Sequence, residues 1–308
     1  MSKICMTRCY VIYIIVLLYS YTVQAEMFVL PGKKEVRVTR ASSYPYISGD
    51  TFRAFCNFII DETHVPFDPS CVQPGSTIFL KSDYIDHFFT TIHPQITAQY
   101  ILVTHNSDAG ITTSHVKYLD DHKLIAWFGQ NALIIHPKLF PIPIGLANRY
   151  WPHGNISILK QITSETYEKR YLAYLNCTIN TNISERKKVY QLFAQQSFCF
   201  VASGCTYEDY LRSVACSCFT FSPPGNGLDC HRTWEALYVG SIPIVKRSLM
   251  DAVFDDLPVI IIDDWAQVTK EFLESEYQKM QLKSCNMEKL YADYWFDLIK
   301  NLQYEGRR

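Results

Sequence analysis

Short apolar runs alternate with segments of helical periodicity along most of this 308-residue chain. Predicted strands lie at residues 76–81, 99–105, 123–129, 138–145, 171–177, 197–203, 218–223, 242–246 and 259–264. Most of them are followed by a helical pattern, such as 82–92 after the first strand and 207–215 after the sixth. Few strands alternate strictly between apolar and polar positions, as expected when helices cover both faces of a sheet. The pattern therefore predicts an α/β fold built on doubly wound parallel sheets.

The strand–helix pattern stops and restarts near residue 160. One run of βα units on each side of this point predicts two Rossmann-like lobes with a cleft between them. We expect a first lobe at 26–160, a second lobe at 161–285 and a C-terminal helix at 286–308, where the stretch "MEKLYADYWFDLIKNLQY" is amphipathic. The chain is long enough for each lobe to bury a core of its own.

The first 25 residues have the pattern of a secretory signal peptide. Lys3 and Arg8 are followed by the apolar stretch "YVIYIIVLLYSY", and Val23 and Ala25 occupy the positions of a cleavage site. The stretch is short for a membrane span, which needs about 20 residues, although an uncleaved signal anchor stays open. We expect the protein in the secretory pathway, in the Golgi or ER lumen or secreted, with membrane contact only through such an anchor.

Two further features fit the secretory route. Asn155, Asn176 and Asn182 each begin a glycosylation sequon. The chain has eleven cysteines, of which two precede residue 25, so an odd number remains for the folded part. Among these, Cys56 and Cys71 bracket one loop and form the first predicted disulfide. No paired CxxC spacing and no His-x-Cys pattern occurs, so no structural metal site is predicted.

Composition narrows the class of partner. The formal net charge is −1 and no basic run occurs, which argues against nucleic acid as a partner. Aromatic residues make up 14% of the chain. That share suits either a packed core or stacking against sugars, and composition alone does not separate these two uses.

The stretch "FSPPGNGLDCHRTWEALYVGSIPIVK", residues 221–246, joins a strand end to a glycine turn and a short helix. Ligands of open α/β sheets bind beyond the carboxyl ends of the strands, where such loops lie. Gly225 and Gly227 would let the backbone approach a ligand closely, and Asp229 is the expected N-cap of the helix. The helix N-terminus then offers free N–H groups, which suit a phosphate.

Three charged or polar residues of that helix suggest what the ligand is. Arg232 lies in the first turn, where a cation opposes the helix dipole by about 0.3–1 kcal/mol, and a bound phosphate would compensate for that cost. Glu235 lies one turn further, on the same side as Arg232 and His231, and could accept two hydroxyls such as a ribose diol. A solvated surface pair is the alternative interpretation. The stretch has no P-loop lysine and no complete GxGxxG, which disfavours a nucleoside triphosphatase or a dinucleotide oxidoreductase.

The same stretch resembles the C-terminal region of exostosin-like glycosyltransferases, whose pattern runs S-P-x-G, H/S-R-x-x-E-A and G-x-I-P-V-I. The matching positions are Ser222, Pro223, Gly225, Arg232, Glu235, Ala236, Gly240, Ile242 and Pro243. "THNSDAGI", "WFGQN" and "IPIGLANRYWPHGN" extend the similarity, which spans most of residues 45–265.

The resemblance implies a GT-B fold in which the second lobe holds a nucleotide sugar and the first lobe presents the acceptor. It also implies that Arg232 contacts the diphosphate and Glu235 the ribose, and that no metal or other cofactor is needed. The donor-binding residues that we expect are Gly225, Asn226, Gly227, Asp229, His231, Arg232 and Glu235.

An inverting transfer requires a base that takes the proton of the acceptor hydroxyl. "VTHNSDAGI" places His105 and Asp108 directly after a predicted strand, on the side of the expected cleft, so either is a candidate base. Local roles are the alternative for both, because such side chains often bond to nearby backbone. Asp86 and His87, on the preceding helix, are second choices.

We therefore expect a glycosyltransferase, inverting and metal-independent, that transfers a hexose or pentose from a nucleotide sugar to a glycan or glycoprotein. A non-catalytic nucleotide- or sugar-binding protein of the same fold is the first alternative, and a secreted structural or interaction protein is the second. Slow hydrolysis of a nucleotide sugar would distinguish a transferase from a non-catalytic binding protein. Thermal protection by nucleotides would distinguish either of them from a structural or interaction protein. Fold alone does not specify the donor sugar or the acceptor.

Overall fold

The computed structural model describes residues 25–28 and 36–305, and the chain forms two α/β lobes there. The first sheet contains β3 (Phe58–Ile60), β4 (Ser76–Lys81), β5 (Tyr100–His105), β6 (Leu124–Gly129) and β7 (Leu139–Pro141). The second contains β8 (Tyr171–Leu175), β9 (Cys199–Val201), β10 (Ser217–Phe221), β11 (Ile242–Lys246) and β12 (Ile260–Ile262). An antiparallel ribbon, β1 (Ala25–Phe28) and β2 (Val36–Thr39), precedes both.

All strand pairs within the two five-stranded sheets are parallel. The strand order is β3-β4-β5-β6-β7 in the first sheet and β12-β11-β10-β8-β9 in the second. The predicted fold class, two Rossmann-like lobes in a GT-B-like α/β arrangement, is therefore confirmed. The central strands β5 and β10 are buried along their whole length, which explains why their apolar runs show no alternation.

Nine α-helices lie in the described part of the chain, joined by shorter 3₁₀ and π turns. They are α1 (Gly49–Phe55), α2 (Ile85–His87), α3 (Val116–Leu119), α4 (Ile156–Thr163), α5 (Ile183–Phe193), α6 (Tyr207–Ala215), α7 (His231–Tyr238), α8 (Lys270–Leu282) and α9 (Ala292–Glu305). Helix α6 matches its predicted segment, whereas α1, α8 and strand β3 were not predicted.

The C-terminal helix returns to the first lobe. Trp295, Phe296 and Ile299 of α9 are buried in the same apolar core as the first sheet, and the Phe55 and Phe296 rings stack with centroids 4.1 Å apart. Trp234 of α7 belongs to this core as well, although it follows the second sheet's β10. The two lobes therefore share apolar packing, and the first lobe is completed by the end of the chain.

The predicted disulfide between Cys56 and Cys71 is wrong. Both thiols are free: Cys56 is buried in the core of the first lobe, and Cys71 is exposed at the end of a 3₁₀ turn. The Sγ atom of Cys71 faces the Asp68 carboxylate at 3.7 Å instead.

The predicted signal segment lies almost wholly outside the described residues. Within 25–28 and 36–305, no helix combines the length and the apolar character that a membrane span requires. The segment stays a prediction.

Candidate functional site

A cleft of about 670 Å³ lies between the lobes, beyond the carboxyl ends of β8 and β10. This volume is in the range of small-molecule sites. All seven residues predicted to bind the donor line it, and so does Asp108 from the opposite lobe. The loop after β5 and the turn before α7 therefore face each other across one cavity.

Helix α7 begins one residue later than predicted. Its N-cap is Cys230, in extended conformation and without a side-chain bond to the helix. Asp229 precedes it, and its Oδ1 accepts only the Cys230 N–H, at 2.8 Å. The first turn of α7 therefore has no side-chain cap. The Thr233 N–H donates to the Cys230 carbonyl at 3.0 Å, which leaves the N–H groups of His231 and Arg232 for other partners.

The Asp229 carboxylate joins the two lobes and is not available to a ligand. Its Oδ2 accepts the Ile144 N–H from the segment after the first sheet, at 2.9 Å, and the Trp234 Nε1–H at 2.7 Å. Burial raises the pKa of Asp229 to about 6, although these bonds lower it. The predicted N-cap role is therefore wrong, because Cys230 holds that position and both Asp229 oxygens are occupied within the protein. The predicted part of Asp229 in donor binding, through its backbone N–H, stays a prediction.

Arg232 is the main charge of the cleft. Its Nε and Nη1 atoms are buried and make no hydrogen bond to any described residue, and none of the ion pairs in that part of the chain involves it. Burial alone lowers the pKa of Arg232, but Tyr210, Cys230, Cys177 and Glu235 outweigh that effect and raise it. Buried N–H groups without acceptors are costly, so an anion that enters the cleft could accept hydrogen bonds from these two nitrogens.

Glu235 lies one turn further along α7, as predicted, and is buried. Its Oε2 accepts the Tyr210 hydroxyl at 2.8 Å. Burial raises the pKa of Glu235 to about 6, while Tyr210, Arg232 and Tyr207 lower it. The carboxylate is thus fixed in place and lines the cleft beside Arg232.

A second arginine of the cleft was not predicted. Arg186, on α5, is buried and donates from Nε to the Pro224 carbonyl at 3.0 Å and from Nη1 to the Thr178 carbonyl at 2.7 Å. It fixes the loop after β10 against the loop after β8. The sequence could not single it out, because α5 reads as an ordinary charged helix.

The two glycines of the turn permit close contacts within the protein. A Cβ atom at Gly225 would lie 2.7 Å from Arg186 Nη2, and one at Gly227 would lie 2.5 Å from Asn131 Oδ1 of the first lobe. Between them, Asn226 donates from Nδ2 to Asp108 Oδ2 at 2.9 Å. The turn therefore packs against Arg186 within the second lobe and against Asn131 and Asp108 of the first lobe.

His105 lines a smaller cavity beside the cleft rather than the cleft itself, and both of its ring nitrogens are engaged. Its Nδ1 accepts the Asn106 N–H at 2.8 Å, and its Nε2 bonds to the Pro143 carbonyl at 3.1 Å. Burial lowers the pKa of His105 to about 4. The predicted role of His105 as a base is therefore wrong, since both ring nitrogens are engaged. Asp108 is exposed and lines the cleft.

A smaller cavity of about 290 Å³ adjoins the cleft on the side of the first lobe. The Oε1 atom of Gln130, a buried residue that lines this cavity, has no partner among the described residues. Trp151, which is 43% exposed, lines it as well. A polar cavity with an aromatic wall suits a polyhydroxylated ligand.

The three sequons occupy different positions. Asn155 is exposed at the start of α4. Asn176 lines the cleft, and its Nδ2 donates to the Tyr174 hydroxyl at 3.1 Å. Asn182 donates from Nδ2 to the Gly225 carbonyl at 3.2 Å. Among the three, only Asn155 has an amide nitrogen without a hydrogen bond to a described residue. In residues 25–28 and 36–305, no group of three or more His, Cys, Asp or Glu is placed to hold a metal ion.

No protein-family model matches the chain, and no curated protein does. Similar solved structures include a GtfA/B complex, with 14% identity over 76% of this chain and 55% of that one, at a TM-score of 0.33. An α-glucosyltransferase in complex with UDP-glucose and DNA containing an abasic site has 10% identity over 74% of each chain, at 0.30.

The pneumococcal O-GlcNAc transferase GtfA, in complex with UDP and GlcNAc, has 12% identity over 76% of this chain and 55% of that one, also at 0.30. The chain therefore spans about half the length of the two Gtf structures.

Proposed function

We propose that this protein is a glycosyltransferase that binds a nucleotide sugar in the cleft between its lobes. The observation that carries the proposal is Arg232, whose buried Nε and Nη1 have no partner in the described chain and line a cavity of ligand size. A diphosphate supplies the acceptors that this guanidinium lacks, and charge-assisted bonds of this kind are among the strong ones.

The neighbours of Arg232 favour a nucleotide over a simple phosphate. The uncapped first turn of α7 offers N–H groups to the same anion. Glu235, fixed by Tyr210, offers a carboxylate oxygen one turn away, where a ribose diol would donate to it. We place the diphosphate at Arg232, the ribose at Glu235 and the transferred sugar toward Asp108, across the cleft.

We propose that the acceptor enters from the first lobe. The smaller cavity beside the cleft has an unpartnered Gln130 oxygen and the exposed ring of Trp151, which together suit a glycan. The finer parts of the proposal are an exostosin-like, inverting and metal-independent enzyme of the secretory lumen. They rest on the motif at 221–246 and on the N-terminal apolar segment, with Arg232 as the cation that balances the diphosphate.

The test is a thermal-shift screen of the purified protein with UDP, GDP and their sugars, followed by an assay for donor hydrolysis. We expect one nucleotide family to raise the Tm and its sugar to be hydrolysed slowly. If a nucleotide binds and none of its sugars is turned over, the protein is the non-catalytic binder. If no nucleotide raises the Tm, the proposal is overturned.

A further inference from the structure

The cleft and the smaller cavity meet at Asp108, Ile144 and His231, which line both. If the donor occupies the first and the acceptor the second, the transferred sugar must pass at this junction. The side chain of Ile144 has no group that can accept a proton. The choice of a base is therefore between Asp108 and His231, and this choice rests on the proposed function.

The ring of His231 has one nitrogen fixed and one free. Nδ1 lies 2.7 Å from the Gly145 carbonyl oxygen. Since a carbonyl only accepts, Nδ1 carries the proton and the lone pair is on Nε2. Nε2 makes no hydrogen bond to any described residue, in contrast to both ring nitrogens of His105. The Gly145 bond thus fixes the tautomer that a base requires.

The surroundings of the His231 imidazole favour its neutral form, which is the form that can accept a proton. Burial is the main cause that lowers the pKa of His231 to about 4; His153 and Arg232 act in the same direction, whereas the Gly145 bond and Asp108 act against it. His105 lies near enough to interact with it as well. The carboxylate of Asp108 is held by Asn226 and attracts a charge on His231. It can therefore stabilise an imidazolium that forms during the reaction.

We propose that His231 Nε2 is the base that takes the proton of the acceptor hydroxyl, with Asp108 as the positioning carboxylate that stabilises the imidazolium. The acceptor O–H bond breaks and its proton moves to Nε2, while the oxygen forms a bond to the anomeric carbon of the sugar. The bond from that carbon to the diphosphate breaks, and the electron pair leaves with the nucleoside diphosphate, where Arg232 meets the charge.

His231→Asn separates this role from donor binding. The asparagine amide can keep the bond to the Gly145 carbonyl, but no group replaces Nε2. Water serves as the acceptor in the assay, with UDP-glucose, UDP-N-acetylglucosamine and GDP-mannose as probes. We expect the Kd of the nucleoside diphosphate to stay within about threefold, while hydrolysis of the bound donor falls by about 10²- to 10⁴-fold. The matched control is His122→Asn, because His122 is exposed and lies outside both cavities. We expect this variant to keep full activity.

A second variant keeps the inference testable if His231→Asn fails to fold. In His231→Ala, added imidazole should restore part of the lost rate, which a structural role of His231 would not allow. The wild-type rate should fall as the pH drops toward 4, where Nε2 becomes protonated, and this decline should be absent from the residual activity of His231→Asn.

The inference is overturned if His231→Asn turns over donor like the wild type, if it loses nucleotide binding together with the rate, or if the wild type binds a nucleotide but hydrolyses none of the probes. If the wild type binds no nucleotide at all, the proposed function has failed first. The two failures are therefore distinguishable.

Discussion

Two arginines of this molecule, Arg40 and Arg232, have buried guanidinium nitrogens but differ in their charged neighbours. Arg40, in the first lobe, makes ion pairs with Asp50 at 3.4 Å, with Asp61 at 3.6 Å and with Glu62 at 3.2 Å. Two guanidinium nitrogens of each arginine, Nε and Nη2 of Arg40 and Nε and Nη1 of Arg232, are buried without a hydrogen bond in the described residues. Arg232, beside the second sheet, differs because it makes no ion pair in that part of the chain. Both side chains carry the same charge, but only Arg40 has carboxylates at ion-pair distance among the described residues, whereas Glu235 acts on Arg232 from further away.

The difference distinguishes an arginine that stabilises the fold from an arginine that is expected to bind a ligand. A buried charge costs free energy unless opposite charges and hydrogen bonds compensate for it. The Arg40 cluster is compensated by the chain itself, so it holds the fold together. Arg232 has no ion pair in the described residues and lines a cavity, so a ligand is expected to supply that partner.

The largest effect is expected in the first lobe. Asp61 accepts the Arg53 Nε–H at 2.7 Å and pairs with Arg40, so Asp61→Ala removes one buried carboxylate that both arginines share. We expect the free energy of unfolding, measured with urea, to fall by about 3–5 kcal/mol. Asp263→Ala removes an exposed partner of Arg247 and should cost less than about 1 kcal/mol. Equal losses would remove the distinction between buried and exposed pairs.

A smaller effect concerns the pH dependence of Glu235. Because its pKa is raised to about 6 in the folded state, the protonated form stabilises the fold at low pH, and that stability is lost as the pH rises through 6. Glu235→Gln keeps an oxygen for Tyr210 and does not titrate. We therefore expect the variant to gain about 2 kcal/mol on the wild type between pH 4.5 and 7. A difference that does not change with pH would show that the carboxylate is solvated.

The smallest effect is expected on the outer surface. If the chain is glycosylated, the glycan should be on Asn155, because the side chains of Asn176 and Asn182 are engaged at the cleft. Ser157→Ala removes the first sequon and leaves the cap of α4 intact. Endoglycosidase should then shift the wild-type band but not that of the variant, with stability changed by less than about 0.5 kcal/mol. A shift that needs Thr178 or Ser184 instead would place a glycan at the cleft.

Local pattern predicted those elements of the fold that bury their own apolar residues. The runs that form β5 and β10 are rich in apolar residues and buried along their whole length, so their assignment needed nothing from the rest of the chain. Helix α8 was missed because Leu273 is its only buried residue. Strand β3 has three residues and is held by its pairing with β4, which no local pattern encodes.

The candidate site shows the same limit. Arg232 and Glu235 could be found because their spacing along one helix places them together. The roles of Asp229 and His105 could not, because their partners Ile144 and Pro143 are distant in the sequence. Arg186 was missed for the same reason, since its acceptors lie on two other loops.

The central claim is that Arg232 awaits a diphosphate, and calorimetric titration of Arg232→Met tests it most directly. Inorganic pyrophosphate, UDP and GDP serve as ligands, and uridine and guanosine are the uncharged controls. The control variant is Arg212→Met, because Arg212 lies outside the cleft and is paired with Glu165. We expect the wild type and Arg212→Met to bind one of the diphosphates alike.

Arg232→Met should bind that diphosphate roughly 10- to 150-fold more weakly, with nucleoside affinity and the Tm of the free protein nearly unchanged. Equal diphosphate binding by Arg232→Met and the wild type, or a large loss of stability without any ligand effect, would contradict the account.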